Sequence, residues 1–376
     1  MTNAESAEKT AKAENAKSAR TVDDDVNPNA VIWDVTFACP LRCYHCYTES
    51  GRRPAKNLSH EEMLKVADAI ISLEPQMITL CGGEPLTIKR IIDVARHFAD
   101  AGVRVFLYTS GWAMPAATVE ALADVATKIV VSVDGGNAAT HDRIRGRAGS
   151  FDRAADALAR IDAEVGRRLA AGVPAPRFGI DYVVVRSNYQ ELDQVCAELA
   201  PRFPHLETVY FGAVVPTGLA SRPSFVEHEL LSDEQVAELI APETRRRLQE
   251  AAPSSVTVET TENFEVQMNP DFLARTPSFR PFEIEPDGRV RGMPIYEGTV
   301  GSLLTDEPRE VWRRVRERWN DPFVLECLNR IRTRADWAEA VRRLDRHFAS
   351  PEDRRRIDNR PPYVPGVVDI RQRGVA

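Results

Sequence analysis

From Ala30 to about Val214 the chain repeats one unit: a short apolar run, a polar turn, then a stretch with apolar residues three and four apart. Residues 31–35, 77–80, 103–108, 129–133, 178–185 and 208–214 read as buried strands. The helical stretches between them begin at Ser59, where Ser59 and Glu62 form a capping box ahead of Met63, Val66, Ala67 and Ile70. A second helical pattern covers 88–101. Strands that alternate with helices imply a parallel sheet, because parallel neighbours need a long crossover between them. Six such units predict an α/β fold built as a partial (β/α)6 TIM-like barrel. In barrels of this kind chemistry collects on the loops at the carboxyl ends of the strands.

Beyond residue 230 the regularity fades. Helical spacing over 232–250 leads to a strand near 256–259. A hairpin over 282–291 then turns on Pro286-Asp-Gly288. Two amphipathic helices carry Val311, Trp312, Val315 and Trp319, then Trp337, Val341, Leu344 and Phe348. These aromatic stripes read as packing surfaces against the barrel. The chain therefore divides into a tail (1–28), a core barrel (29–230), a barrel-completing segment (231–277) and a smaller C-terminal α+β cap (278–376). The tail is rich in Ala, Lys, Glu, Ser and Asp, a composition expected to stay disordered. Arg342, Arg343, Arg354, Arg355 and Arg356 alternate with acids, as on a solvated face.

Of the 376 residues 43% are apolar, enough for a large core. The net charge of −7 argues against a non-specific grip on nucleic acid. No stretch approaches the ~20 apolar residues of a membrane span, and no apolar signal core precedes a cleavage site. A cytoplasmic location is expected, with thiols kept reduced and free for metal.

Half of the six cysteines fall within eight residues of one run, Phe37-Ala-Cys-Pro-Leu-Arg-Cys-Tyr-His-Cys-Tyr47. The spacing of Cys39, Cys43 and Cys46 lets a short turn wrap three thiolates around one centre. Iron–sulfur clusters normally take four protein ligands, so three leave one iron open. A zinc site completed by His45 or a distant residue is the alternative, since structural zinc takes four N or S ligands. One β/α unit later comes Cys81-Gly-Gly-Glu-Pro85. Its glycines allow close backbone approach, Pro85 sets the following turn, and Glu84 offers a carboxylate suited to an ammonium group.

Together these segments resemble the radical S-adenosylmethionine enzymes, over roughly residues 29–220. The resemblance implies that Cys39, Cys43 and Cys46 hold a single [4Fe–4S] cluster whose open iron chelates S-adenosylmethionine. It implies that Gly82, Gly83, Glu84 and Pro85 hold the methionine amino group, with Thr109 and Ser110 near the adenosine. Ser132 and Asp134 would reach the ribose or carboxylate, Arg145 would neutralise the methionine carboxylate, and Val184 with its neighbours would pack the adenine. His45, before the last cysteine, resembles the peptide-maturing branch. The C-terminal stretch looks like the SPASM or twitch extension, but Met293 stands where that extension has a ligating cysteine. Cys196 and Cys327 alone cannot hold a second cluster.

The implied activity is reductive cleavage of S-adenosylmethionine to a 5′-deoxyadenosyl radical that takes hydrogen from a peptide or natural-product intermediate. Epimerisation and dehydrogenation are among the outcomes. A sugar, nucleoside or aminoglycoside is the alternative substrate, and a zinc-binding scaffold the alternative outside enzymes. The partners implied are that substrate and an external one-electron donor such as flavodoxin or ferredoxin. Cys327, or else Cys196, is the candidate hydrogen donor, and either also reads as a small buried hydrophobe. Cys81 reads as packing beside the cofactor.

Overall fold

Each apolar run forms a strand parallel to the one before it in the computed structural model, which describes residues 27–276 and 279–366. The expected tail lies almost wholly outside the described residues. The strands are β1 (Ala30–Thr36), β2 (Met77–Gly82), β3 (Arg104–Thr109), β4 (Lys128–Ser132), β5 (Arg177–Val184), β6 (Thr208–Ala213) and β7 (Thr257–Thr261). Between them run α1 (His60–Ile71), α2 (Ile91–Asp100), α3 (Ala116–Ala123), α4 (Ala138–Arg145) and α5 (Ser150–Ala170). The capping box at Ser59 and Glu62 is present, and Met63, Val66, Ala67 and Ile70 of α1 are buried against the sheet. Helix α2 starts later than its periodicity suggested, because Pro85–Thr87 first makes a tight 3₁₀ turn.

The helical stretch over 232–250 splits into α6 (Asp233–Ile240) and α7 (Pro242–Ala251). Pro242 has no amide hydrogen and drives Ala241 into an extended conformation, φ −60° and ψ 139°. Strand β7 then pairs with β6 and lengthens the parallel sheet.

The C-terminal extension is part of the same sheet. The strand order is β10-β9-β8-β1-β2-β3-β4-β5-β6-β7. Strand β8 (Pro281–Ile284) pairs in parallel with β1, Trp33 opposite Ile284, so the extension covers the edge that β1 would expose. The Pro286-Asp-Gly288 turn leads into antiparallel β9 (Arg289–Arg291), and β10 (Thr299–Ser302) follows. The hairpin at the start of the extension continues the sheet from β1, with Phe282 and Ile284 buried in register with Val31 and Trp33.

Four helices complete the chain: α8 (Pro308–Trp319), α9 (Pro322–Leu328), α10 (Arg334–Phe348) and α11 (Pro351–Asp358). Val311, Trp312 and Val315 join the main core. Trp337, Val341 and Leu344 form a second cluster with Met293 and Tyr296. Arg354 and Arg355 are exposed as expected, but Arg356 turns inward and pairs with Glu49 and Glu297. No described helix is long and apolar enough to cross a membrane.

Candidate active site

The cysteine loop leaves β1 at its carboxyl end and is held by its own backbone from three sides. The amides of Gly83 and Glu84 donate to the carbonyls of Thr36 (2.7 Å) and Ala38 (2.9 Å). The carbonyls of Arg145 and Ile144 accept from the amides of Arg42 (2.9 Å) and Tyr44 (3.2 Å). Leu219 donates to the carbonyl of Cys46 at 3.1 Å. Arginines cap the remaining carbonyls: Arg42 reaches Cys39 (2.9 Å), Arg147 reaches Pro40 (2.7 Å) and Arg222 reaches Tyr44 (2.7 Å).

This bracing explains the Gly-Gly pair more directly than ligand approach does. A Cβ on Gly83 would lie 2.1 Å from the Ala38 carbonyl oxygen, and Gly82 has φ +112°. The end of α4 is as tight, since a Cβ on left-handed Gly146 would lie 2.5 Å from the Arg42 carbonyl oxygen.

The loop forms one wall of a cavity of about 360 Å³ at the carboxyl ends of β2 to β5. Cys39, Cys43 and Cys46 line it, with Gly82 and Gly83, Thr109 and Ser110, Ser132 and Arg145 across from them. Nine of the residues singled out in the sequence thus meet at one place. Among the described residues no three His, Cys, Asp or Glu side chains gather closely enough to hold one metal ion. The three thiols line one wall of the same cavity.

The other expected contacts lie behind that wall. Glu84 is buried with its carboxylate turned away from the cavity, accepting from the Thr109 hydroxyl (2.8 Å), the Ser110 amide (2.8 Å), the Leu86 amide (3.2 Å) and the Ser110 hydroxyl. Through these bonds it positions Thr109 and Ser110. Pro85 is buried beneath it. Asp134 is fully buried and holds Arg145, Oδ2 to Nε at 2.6 Å, while accepting from the Val183 amide at 2.9 Å. Val184 points into the core because strand side chains alternate, and Val183 is the residue that lines the cavity. Cys327 sits in the second apolar cluster and Cys196 in the main core, so neither thiol reaches the cavity.

The sequence reads Cys81 as packing beside the cofactor, while other lining residues escaped it. Cys81 lines the floor, its Sγ 3.5 Å from Asp34 Oδ1 and 3.8 Å from the Tyr47 hydroxyl, which donates to the same oxygen at 2.7 Å. Asp181, an acid in an apolar strand run, and Tyr108 face inward from β5 and β3. The break in apolarity at Asp181 was the available signal. Ile295 comes from the extension with φ +63°, a strained conformation for a β-branched residue, held by its amide donating to buried Glu283 at 2.5 Å. Nothing local announces that conformation.

Electrostatics follow from burial. Burial raises the Cys43 thiol to about 11, against the pull of Arg145, and raises Cys39 well above the usual thiol range. Metal loading at such thiols must displace protons. Burial lowers His45 to about 4, opposed by Asp134 3.6 Å away, so its ring is neutral. For Asp134 burial raises the carboxyl, but Arg145, His45, His141 and the Val183 amide together hold it below its ordinary value. Asp181, buried and near Asp134, is raised to about 7.

Residues 33–168 match the radical SAM superfamily. The chain carries a radical SAM domain. An AdoMet-dependent heme synthase of Methanosarcina barkeri is 37% identical over 196 residues, which are 51% of this chain and 52% of that protein. The mycofactocin maturase MftC of Mycolicibacterium smegmatis is 29% identical over 177 residues, 47% of this chain and 42% of the relative. The chain spans about half the length of these curated relatives. A PqqA peptide cyclase of Methylocella silvestris is 26% identical over 305 residues, 76% of this chain and 74% of its own.

Among solved structures, Streptococcus suis SuiB bound to precursor peptide SuiA superposes with a TM-score of 0.60 at 15% identity, covering 88% of this chain and 73% of that one. The structure of anSMEcpe with bound AdoMet and the Cp18Cys peptide gives 0.56 at 14% identity, covering 88% and 99%. At such identities the likeness is one of fold, and it supports the partial barrel. Radical SAM proteins use a [4Fe–4S] cluster and S-adenosylmethionine. The three thiols and the cavity beside them, with Arg145, Thr109, Ser110 and Ser132 on its lining, fit both.

Proposed function

We propose that this radical SAM protein is an enzyme that makes a carbon-centred radical on a peptide or natural-product intermediate. When bound, the cluster and S-adenosylmethionine supply one-electron cleavage to a 5′-deoxyadenosyl radical, which takes a hydrogen atom from a substrate carbon. Cys39, Cys43 and Cys46 are the cluster ligands in this reading. Gly82, Gly83, Thr109, Ser110, Ser132 and Val183 shape the nucleotide's seat, with Glu84 fixing the Thr109-Ser110 segment. Arg145, anchored by Asp134, keeps a guanidinium on the cavity with Nη1 3.9 Å from Cys43 Sγ. That charge pairs naturally with a carboxylate. The electron comes from an external donor of the flavodoxin or ferredoxin class.

The observation that carries this reading is the meeting of three thiols, the Gly82–Gly83 backbone and Arg145 on one cavity. The peptide-maturing names among the relatives and structural neighbours favour a peptide over a sugar or nucleoside. The test is anoxic reconstitution followed by reductant and S-adenosylmethionine. About four irons per chain and 5′-deoxyadenosine formation are expected, both lost when serine replaces any of the three cysteines. Colourless protein containing zinc would overturn the proposal.

A further inference from the structure

Below the nucleotide's seat the barrel holds a second pocket of about 270 Å³, which shares Tyr108 and Asp181 with the first. The inward face of β4 runs Lys128, Val130, Ser132, so Lys128 marks the deep end and Ser132 the mouth. Two polar groups of the inner pocket satisfy each other: the Tyr210 hydroxyl donates to Asn263 Oδ1 at 3.2 Å, and Asn263 Nδ2 donates to the Ala213 carbonyl at 2.9 Å. Lys128 and Asp181 differ. Neither side chain makes a hydrogen bond or a close ion pair among the described residues, although each feels the other's charge across the pocket. The acid nearest in influence to Lys128, Glu207, is engaged by Arg177 at 3.3 Å, and Glu259, although it lines the same pocket, is exposed to solvent there.

A half-buried ammonium and a half-buried carboxyl that lack hydrogen-bond partners are costly in an empty site and useful in a filled one. The geometry points to the inner pocket as the substrate subsite, taking a carboxylate at Lys128 while Asp181 accepts an N–H or O–H of the same molecule beside the nucleotide's seat. This rests on the radical SAM reading, since it assigns the outer cavity to the nucleotide. The carboxylate is either a chain terminus or an acidic side chain, and the pocket has room for one such residue. Asp181 is a positioning residue here: it orients the bound group at the neck between the two cavities. Its elevated titration point leaves it able to accept or share a proton near neutrality.

The test is calorimetric titration of the full, anoxically reconstituted chain in the presence of S-adenosylmethionine with three probes. N-acetyl-L-alanine carries a terminal carboxylate, N-acetyl-L-glutamic acid α-amide a side-chain carboxylate, and N-acetyl-L-glutamine α-amide neither. At least one acid is expected to bind about tenfold or more tighter than the neutral probe, and which acid does so identifies the source of the carboxylate. Lys128→Met should erase that preference, Lys128→Arg should keep it, and Asp181→Asn should weaken both acids with the fold intact by circular dichroism. Equal binding of all three probes by the unaltered protein, binding of none, or a preference that survives Lys128→Met would overturn the inference. Formation of 5′-deoxyadenosine by the unaltered protein is measured separately, so a failure of the underlying reading is distinguished from a failure of the pocket assignment.

Discussion

Cys327 shows how a residue's chemistry is decided by its neighbours. It is 1% exposed among Val324, Trp337 and Val341, without a path to the cavity. Cys327→Ser puts a hydroxyl in that apolar cluster and is expected to cost about 1–3 kcal/mol in denaturant unfolding, while 5′-deoxyadenosine formation persists. Loss of that activity in a folded, iron-loaded variant would contradict the placement. Asp181 is the converse, an acid kept where an apolar residue would pack. Its folded carboxyl titrates near 7 against an ordinary 3.8, so folding favours the protonated form. That contribution is full below pH ~4 and is lost as pH rises through 7. Asp181→Asn cannot ionise and should therefore gain about 1–2 kcal/mol over the unaltered protein at pH 8. At pH 4 the difference should vanish, as urea unfolding at the two pH values would show.

The cysteine loop depends on an element far away in sequence. Helix α11 sends Arg356 and the residue beyond it, Arg360, onto Glu49 at the end of the loop, Arg360 at 2.8 Å. Arg356 also reaches Glu297 at 2.6 Å. Tyr363 packs on Tyr44 with ring centroids 5.2 Å apart and on Phe225 at 5.6 Å. The C-terminal stretch thus clamps the loop that carries the thiols. Replacing Arg356 and Arg360 together by Ala leaves Glu49, 4% exposed, without its cations. About 3–5 kcal/mol should be lost, and iron should leave the reconstituted protein faster in air than it leaves the unaltered one. Equal rates of bleaching would show that the clamp does not guard the loop. Sequence periodicity located α10 and the acid–base alternation after it, but not which arginines turn inward, because exposed and clamped arginines occupy the same helical pattern.

The extension is braced internally by a buried charge cluster as well as by apolar packing. Arg291 on β9 is 1% exposed and pairs with Glu283 (3.2 Å) and Glu285 (3.3 Å) while donating to the Tyr296 carbonyl at 2.7 Å. Burial raises Glu283 to about 8 even with Arg291 beside it. Arg291→Met strands these carboxyls and is expected to cost about 3–5 kcal/mol at neutral pH. Without the cation their folded titration points rise further above the unfolded ones, so the deficit should be smaller at pH 5 than at pH 8. A pH-independent deficit would mean that lost packing, not stranded charge, destabilises the variant.

Much of this molecule was legible in one dimension. The β/α alternation, the capping box at Ser59 and the three-cysteine loop followed by Gly-Gly-Glu-Pro are local patterns, and local patterns survive in a bare sequence. The attachment of β8 to β1 joins residues some 250 positions apart, as Trp33 opposite Ile284 illustrates. So does the choice of Val183 over Val184 at the cavity, the turning of Glu84 into the wall, and the seclusion of Cys327. Each depends on which face of an element meets which neighbour, and only the folded chain settles that.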